Sequence, residues 1–469
     1  MKTPLYTALA QHAEKKPYSF HVPGHHNGDV FFDEARSHYA SILQLDVTEL
    51  EGLDDLHHPT GVIQEAEHLL TKLYDSDQSF FLVNGTTVGN LAMVMTACRT
   101  GDEIFVQRNC HKSVFHAIEL AGATPILIDA EIDPHLHVPT HVAEDTVRKA
   151  IAKHPHCRAI ILTYPNYYGH AADLLKLIHM CHEAGMIVLV DEAHGAHFVL
   201  GGGFPPSALS YGADVVVQSA HKTLPAMTMG SYLHLQGDRI DAKRLKILLT
   251  MLQSSSPSYP IMASLDVARA YVEEIKEKGT LDVIMKELTE LKDQFNRLTH
   301  LEVVEPESLH SDPLKCVIRS TKGLTGYELK QVLESVDVHP ELADEHQVLL
   351  VLSLEQRKDV PFKQIDQALK QSDSLLKGKK YIRNETVSLE TDILNQDIEA
   401  VPFEQATGRV SAESIIPYPP GIPLMIKGER IEKEQIEALS RLLGHEVHIQ
   451  ASQVIHQRKL YVYIEEETL

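Results

Sequence analysis

Short apolar runs alternate with longer amphipathic stretches between residues 60 and 235. The runs are "FFLV" (80–83), "EIFV" (103–106), "PILI" (125–128), "AIILT" (159–163), "MIVLV" (186–190) and "VVVQ" (215–218). Between them lie "VGNLAMVMTACR", "KSVFHAIELAG", "HVAEDTVRKAIAKH" and "ADLLKLIHMCHEAG", whose apolar residues recur at helical spacing. Strands that are apolar throughout, separated by helices, predict an α/β fold: a mostly parallel sheet covered by helices. In such sheets ligands bind beyond the carboxyl ends of the strands, so the residues after each run carry the candidate chemistry.

Beyond 235 the pattern changes. Helices are expected at 239–252, 260–277 and 280–297. A smaller α/β unit follows, with strands near "LEVVE", "KCVIRS" and "HQVLLVLSL" and a helix in "GYELKQVLESV". The polar stretch 371–386 reads as a boundary, and the last part ends in a strand, "KLYVYIEEE". The expected organisation is an N-terminal segment (1–60), a large domain (61–260), a small α/β domain (261–375) and a C-terminal domain (387–469).

The chain's 469 residues are 43% hydrophobic and 23% charged, the range of a globular protein of two or three domains. Its formal charge of −22 makes nucleic acid or anionic lipid an unexpected partner. Cys98, Cys110, Cys157, Cys181 and Cys316 are dispersed, without a Cys-x-x-Cys pair, which fits a reducing compartment. The N-terminus lacks the apolar core of a signal peptide, and no run approaches the roughly 18 apolar residues of a membrane span. A cytoplasmic protein is expected. The 29 histidines include no His-Glu-x-x-His, so no metal site is expected.

The strand ends supply complementary groups. After "FFLV" come Asn84, Gly85, Thr86 and Thr87, then a helix; backbone N–H groups and hydroxyls at a helix start suit an anion, and equally suit a plain N-cap. After "EIFVQRN" come Cys110, His111, Lys112 and Ser113. After "MIVLV" comes "DEAHGAH", with Asp191 and His194; after "VVVQ" come Ser219, His221 and Lys222. A lysine just past a strand is ordinarily a surface residue; held in a pocket it becomes a nucleophilic amine. An anion cradle, a carboxylate, an imidazole and such an amine together match pyridoxal 5′-phosphate, which needs partners for its phosphate, ring nitrogen, ring face and aldehyde.

The string "DEAHGAH … QSAHKTLPAMTMGSYLH", with 31 residues from Asp191 to Lys222, resembles the pyridoxal-phosphate enzymes of the aspartate-aminotransferase fold (fold type I), and among them the ornithine/lysine/arginine decarboxylases. "HVPGHHNG", "DVTELEGLDDLHHPTG", "NGTTVGN", "NCHKSVFHA", "SSSPSYPIMASLD" and "YPPGIPLMIKGE" extend the resemblance over most of the chain. It implies that Lys222 holds the cofactor aldehyde and that Asp191 pairs with the ring nitrogen. His111 then stacks on the ring. Gly85, Thr86 and Thr87, with Ser219 and His221, hold the phosphate. Thr163 approaches the ring hydroxyl, and His194 contacts cofactor or substrate carboxylate.

One position departs from the family pattern: His26 stands where the N-terminal motif usually has lysine. The resemblance is to the short, Gram-positive-type branch, without the receiver-like wing domain of the large acid-induced enzymes. It implies decarboxylation of a basic amino acid, arginine before lysine or ornithine, to CO2 and a polyamine-type amine. Asp54, Asp55 and Glu413 are the candidate partners for the substrate's distal cation. A homodimer at minimum is implied, with "SSSPSYP" (254–260) reaching a subunit boundary through Ser255, Ser256 and Ser258. Transamination or β-elimination on the same cofactor, or a non-catalytic cofactor-binding regulator, are the alternatives.

Overall fold

The computed structural model describes residues 1–306, 309–356, 359–372, 397–418, 420–445 and 447–464. The architecture is α/β with a mostly parallel central sheet. Its strands are β1 (Gln78–Leu82), β2 (Glu103–Gln107), β3 (Thr124–Ile128), β4 (Ala159–Thr163), β5 (Ile187–Asp191), β6 (Val215–Gln218) and β7 (Ser231–Leu235). The chain divides into two compact units.

The first unit comprises Met1–Ala97, Leu174–His182 and Ile187–Lys286. Its strands run in the order β1-β7-β6-β5. β6 is parallel to β5, whereas β7 is antiparallel to both β6 and β1. Val215, Val216 and Val217 are fully buried, as a β-branched strand covered on both faces should be. The helix Gly85–Ala97 packs so closely on β6 that a Cβ on Gly89 would lie 2.6 Å from Val217 Cγ1. Only glycine permits that approach.

β7 has no counterpart among the expected strands. Its sequence, "SYLHL", is not an apolar run, yet all of it is buried. His234 is accommodated by Ser79 Oγ, 2.8 Å from its Nδ1, and by Gln218 Oε1, 3.1 Å from its Nε2. Burial also pushes the His234 imidazole down to about 3, so the ring is neutral.

A buried carboxylate anchors the first helix, Pro4–Glu14. Asp266 accepts N–H bonds from Leu5 (3.0 Å) and Tyr6 (3.3 Å) and pairs with Arg269 at 2.9 Å, both side chains being fully buried. Asp266 and Arg269 belong to the helix Tyr259–Lys278, which matches the expected span 260–277. The helices Ala242–Leu252 and Leu281–Asn296 likewise fall on their expected stretches.

The second unit comprises Cys98–Asp173, Glu183–Met186 and Glu287–Leu469. β4, β2 and β3 lie in that order, all parallel. A separate antiparallel sheet orders Leu342–Ala343, Val348–Val351, Lys315–Ser320 and Leu301–Val304. The helices Gly326–Glu334 and Phe362–Gln371 close its core through Leu329, Leu333, Ile365 and Leu369. Leu301–Val304, Lys315–Ser320, Val348–Val351 and the helix Gly326–Glu334 fall on the stretches "LEVVE", "KCVIRS", "HQVLLVLSL" and "GYELKQVLESV". Toward the C-terminus, Ile398–Pro402 pairs with Lys459–Tyr463, with the helix Lys433–Gly444 contributing Leu439 to a further core. The expected boundary 371–386 lies, from 373 onward, outside the described residues, as do the final glutamates of "KLYVYIEEE".

All five cysteines are buried. Burial pushes the thiols of Cys98, Cys157, Cys181 and Cys316 up to about 12. Among the described residues no helix is long and apolar enough to cross a membrane.

Candidate active site

In the first unit the chain leaves β6 through Ser219 into a single helical turn, Ala220–Thr223, which carries Lys222. Lys222 is half-buried, and its Nζ lies 3.2 Å from His194 Nε2. His194 itself follows β5 in a tight turn and is buried. Asp191, the last residue of β5, is 4% exposed. Its Oδ2 accepts the Asn90 amide at 2.8 Å and its Oδ1 the Ala193 N–H at 3.2 Å. Burial pushes the Asp191 carboxyl up; the Asn90 bond and then the Lys222 charge pull it back. A protonated heterocyclic nitrogen would add the cation that the ionised carboxylate favours.

The helix Gly85–Ala97 opens this side of the site. Gly85 takes a positive φ of 72°, which turns the chain from β1 into the helix, and its N–H donates to Met229 O at 2.9 Å. Thr86 Oγ1 lies 3.1 Å from Ser219 Oγ, so two of the expected phosphate hydroxyls are adjacent. Thr87 is exposed on the first turn of the same helix. His221 is held to the chain ahead of β7: its Nδ1 donates to Gly230 O at 3.0 Å. Burial lowers its pKa, an effect the Gly230 bond opposes.

Two residues here escaped the sequence reading. Asn90 is fully buried one turn into the helix and orients Asp191. It sits inside "NGTTVGN", but only the phase of the helix against β5 shows its role. Glu192 is also fully buried. It accepts bonds from Ala208 N (2.6 Å), Gln218 Nε2 (2.8 Å) and Ser207 Oγ (3.1 Å). Burial outweighs those bonds and pushes its carboxyl up to about 8. A Cβ on Gly195 would lie 2.6 Å from Glu192 Cγ, so the "DEAHG" turn closes only with glycine there.

In the second unit His111 caps the helix Lys112–Ala121, its Nδ1 accepting the Ser113 N–H at 3.2 Å. Thr163 ends β4, where its N–H donates to Gln107 Oε1 at 3.1 Å. Its hydroxyl oxygen is buried with no hydrogen-bond partner among the described residues. An incoming hydroxyl would satisfy it.

The three candidate substrate carboxylates are bound unequally. Asp54 accepts N–H groups from Asp55, Thr60, Gly61, Ile63 and Gln64, capping the helix Val62–Tyr74. Those bonds overcome its burial and hold its carboxyl below the ordinary range. Glu413 accepts the N–H of Ser452 at 2.9 Å and of Tyr461 at 3.0 Å, one on each oxygen. Asp55 accepts the His57 N–H at 2.8 Å through Oδ1. His57 in turn reaches Ser254 O at 2.7 Å, joining the "DDLHHP" turn to the serine-rich loop. Ser255 and Ser256 are exposed there, and Ser258 caps the helix Tyr259–Lys278. At the N-terminal motif, His25 Nε2 lies 3.1 Å from Asp46, and His26 takes a φ of 48°.

Residues 3–311 match the family described as Orn/Lys/Arg decarboxylase, major domain, and residues 379–449 match its C-terminal domain. The chain belongs to the Orn/Lys/Arg decarboxylase family. This decarboxylase is 53% identical to a Bacillus subtilis protein named "Uncharacterized protein YaaO", over the full length of both. It is 33% identical to the arginine decarboxylase of Bacillus subtilis, covering 96% of this chain and 95% of the relative. It is 25% identical to the lysine decarboxylase LdcA of Pseudomonas aeruginosa, over 91% and 74% of the two chains. Among solved structures, the Francisella novicida lysine decarboxylase LdcF aligns with a TM-score of 0.82 at 19% identity, over 99% of this chain and 81% of that one.

The protein is an amino-acid decarboxylase, and its cofactor is pyridoxal 5′-phosphate. The residues of the first unit fit that group: a buried carboxylate within the field of a lysine amine, and adjacent hydroxyls at a helix start.

Proposed function

We propose that the enzyme decarboxylates arginine in preference to lysine and ornithine. The observation that carries this is the near-full-length similarity to arginine decarboxylases of three Bacillus species and Halalkalibacterium halodurans, at 33–35% identity, against 25% for the lysine decarboxylase of Pseudomonas aeruginosa.

The cofactor supplies an electron sink that accepts the pair left when the carboxylate departs as CO2. This chain's residues do the rest. Lys222 would hold the cofactor aldehyde, with its amine 3.2 Å from His194 Nε2. Asp191, steadied by Asn90, would pair with the ring nitrogen and favour its protonated form. His194, beside the Lys222 amine, contacts the reacting end of the substrate. Gly85, Thr86, Thr87, Ser219 and His221 would take the phosphate; His111 would stack on the ring and Thr163 would approach the ring hydroxyl. Asp55, whose Oδ1 alone holds a backbone N–H, is the proposed partner of the substrate's distal cation. Asp54 and Glu413 are assigned to holding local backbone, in keeping with their paired oxygens.

A homodimer is proposed as the working unit. Tyr18 and Phe20 are each 94% exposed and Val22 is 69% exposed, within an arm whose apolar side chains a second copy would cover. Five dispersed, buried thiols support a cytoplasmic location.

The test is incubation of purified protein with arginine, lysine, ornithine, leucine and glutamate, scoring CO2 and the amine formed. Agmatine formed fastest supports the proposal. Faster turnover of lysine or ornithine refutes the order, and keto acid or ammonia without CO2 refutes the reaction.

A further inference from the structure

The ring of His111 is constrained along two edges. On one edge, Nδ1 accepts the Ser113 N–H at 3.2 Å and lies 2.8 Å from Ser113 Oγ. A neutral ring with an acceptor at Nδ1 carries its proton on Nε2. On the opposite edge stands the backbone of Gly421. A Cβ there would lie 3.1 Å from both Cδ2 and Nε2, closer than an ordinary van der Waals contact. Gly421 also has a φ of 93°, which disfavours other residues.

The wall formed by Gly421 is itself fixed. Its carbonyl accepts the Lys112 N–H at 3.1 Å, next to the ring in sequence. Tyr167 OH donates to Pro420 O at 3.0 Å. Arg108 donates to Pro423 O at 2.9 Å and Leu424 O at 3.0 Å, and pairs with Glu429 at 3.0 Å. Glu429 is 1% exposed and accepts the Ile426 N–H at 2.9 Å. The "YPPGIPLMIKGE" segment is thereby tied to the same loop that presents His111. Simple chain reversal would ask of residue 421 only a positive φ; it would not bring bare backbone against an imidazole.

We propose that Gly421 is a positioning residue that sets the plane of the His111 ring, and through it the face that the ring offers to the cofactor. The inference rests on the reading of His111 as the stacking ring.

The experiment uses full-length protein, stripped of cofactor and titrated with pyridoxal 5′-phosphate, followed by visible absorption and circular dichroism. G421A should weaken cofactor binding about tenfold and change the visible dichroic band, because small misplacements at a site are costly. G408A is the control for strain: Gly408 has a φ of 83° with nothing within 4 Å of its Cβ position. It should bind within about twofold of wild type, and G421A in an H111A background should add less than about twofold, as a double-mutant cycle requires of residues acting through one another. Equal effects of G421A and G408A overturn the proposal, as does an undiminished G421A effect without the His111 ring. If H111A itself leaves affinity and dichroism unchanged, the stacking reading fails, and this inference with it. Should G421A not fold, R108M against R108M/H111A decides by the same criterion, since it loosens the segment while keeping glycine at 421.

Discussion

Lys222 stands half-buried beside an imidazole, and its chemistry is open to direct trapping. Borohydride treatment of the cofactor-loaded enzyme should fix the label to Lys222, read by peptide mapping; a label on another lysine would displace the assignment. Glu192 makes a different prediction. Its carboxyl is raised to about 8, above its unfolded value, so the folded protein keeps a proton that the unfolded chain has lost. Stability therefore falls as pH rises from the ordinary glutamate range toward 8, and levels off above it. Glu192→Gln, which stays neutral throughout, should be favoured over wild type more at pH 8 than at pH 5 in thermal melts; a difference that does not change with pH would contradict this. Lys222 and Asp191 were legible in the sequence because a short motif places them at strand ends. Asn90 was not, since its contact with Asp191 spans 101 residues. Which amides Asp54 and Glu413 accept was not legible, because hydrogen bonds to backbone amides leave no mark on side-chain pattern.

At the scale of elements, six strands of the central sheet were visible as apolar runs, and the seventh was hidden by its own chemistry. Ser231 and His234 break the pattern of β7 while lying fully buried, because partners on the neighbouring strands satisfy the imidazole. Periodicity detects apolar burial and misses polar burial that long-range hydrogen bonds offset. The first helix depends on such a pairing. Asp266→Ala would remove the acceptor for Leu5 and Tyr6 N–H and leave the buried Arg269 with only Glu273 and the Lys2 carbonyl as described partners. Breaking a buried pair on one side costs about 3–5 kcal/mol, so the variant should melt clearly below wild type, whereas Glu274→Ala, at an exposed i,i+4 pair, should not. A matching melting temperature for the two variants would show that the anchor is unimportant.

For the whole molecule, the exposed N-terminal arm is the place to test the proposed dimer. Phe20→Asp should weaken the proposed dimer, and sedimentation at micromolar concentration should show more monomer than wild type; an unchanged distribution would place the interface elsewhere. Domain-scale resemblance was readable because its motifs are spread from "HVPGHHNG" to "YPPGIPLMIKGE", while the clamp between residues 108–112 and 420–429 emerges only in three dimensions. The buried cysteines have a practical corollary. With every native thiol shielded and four of them raised to about 12, electrophilic dyes should find the folded enzyme nearly inert. A single cysteine introduced at Tyr18 would then be a unique attachment point. A fluorophore placed there would report the arm's surroundings on a background that is already silent.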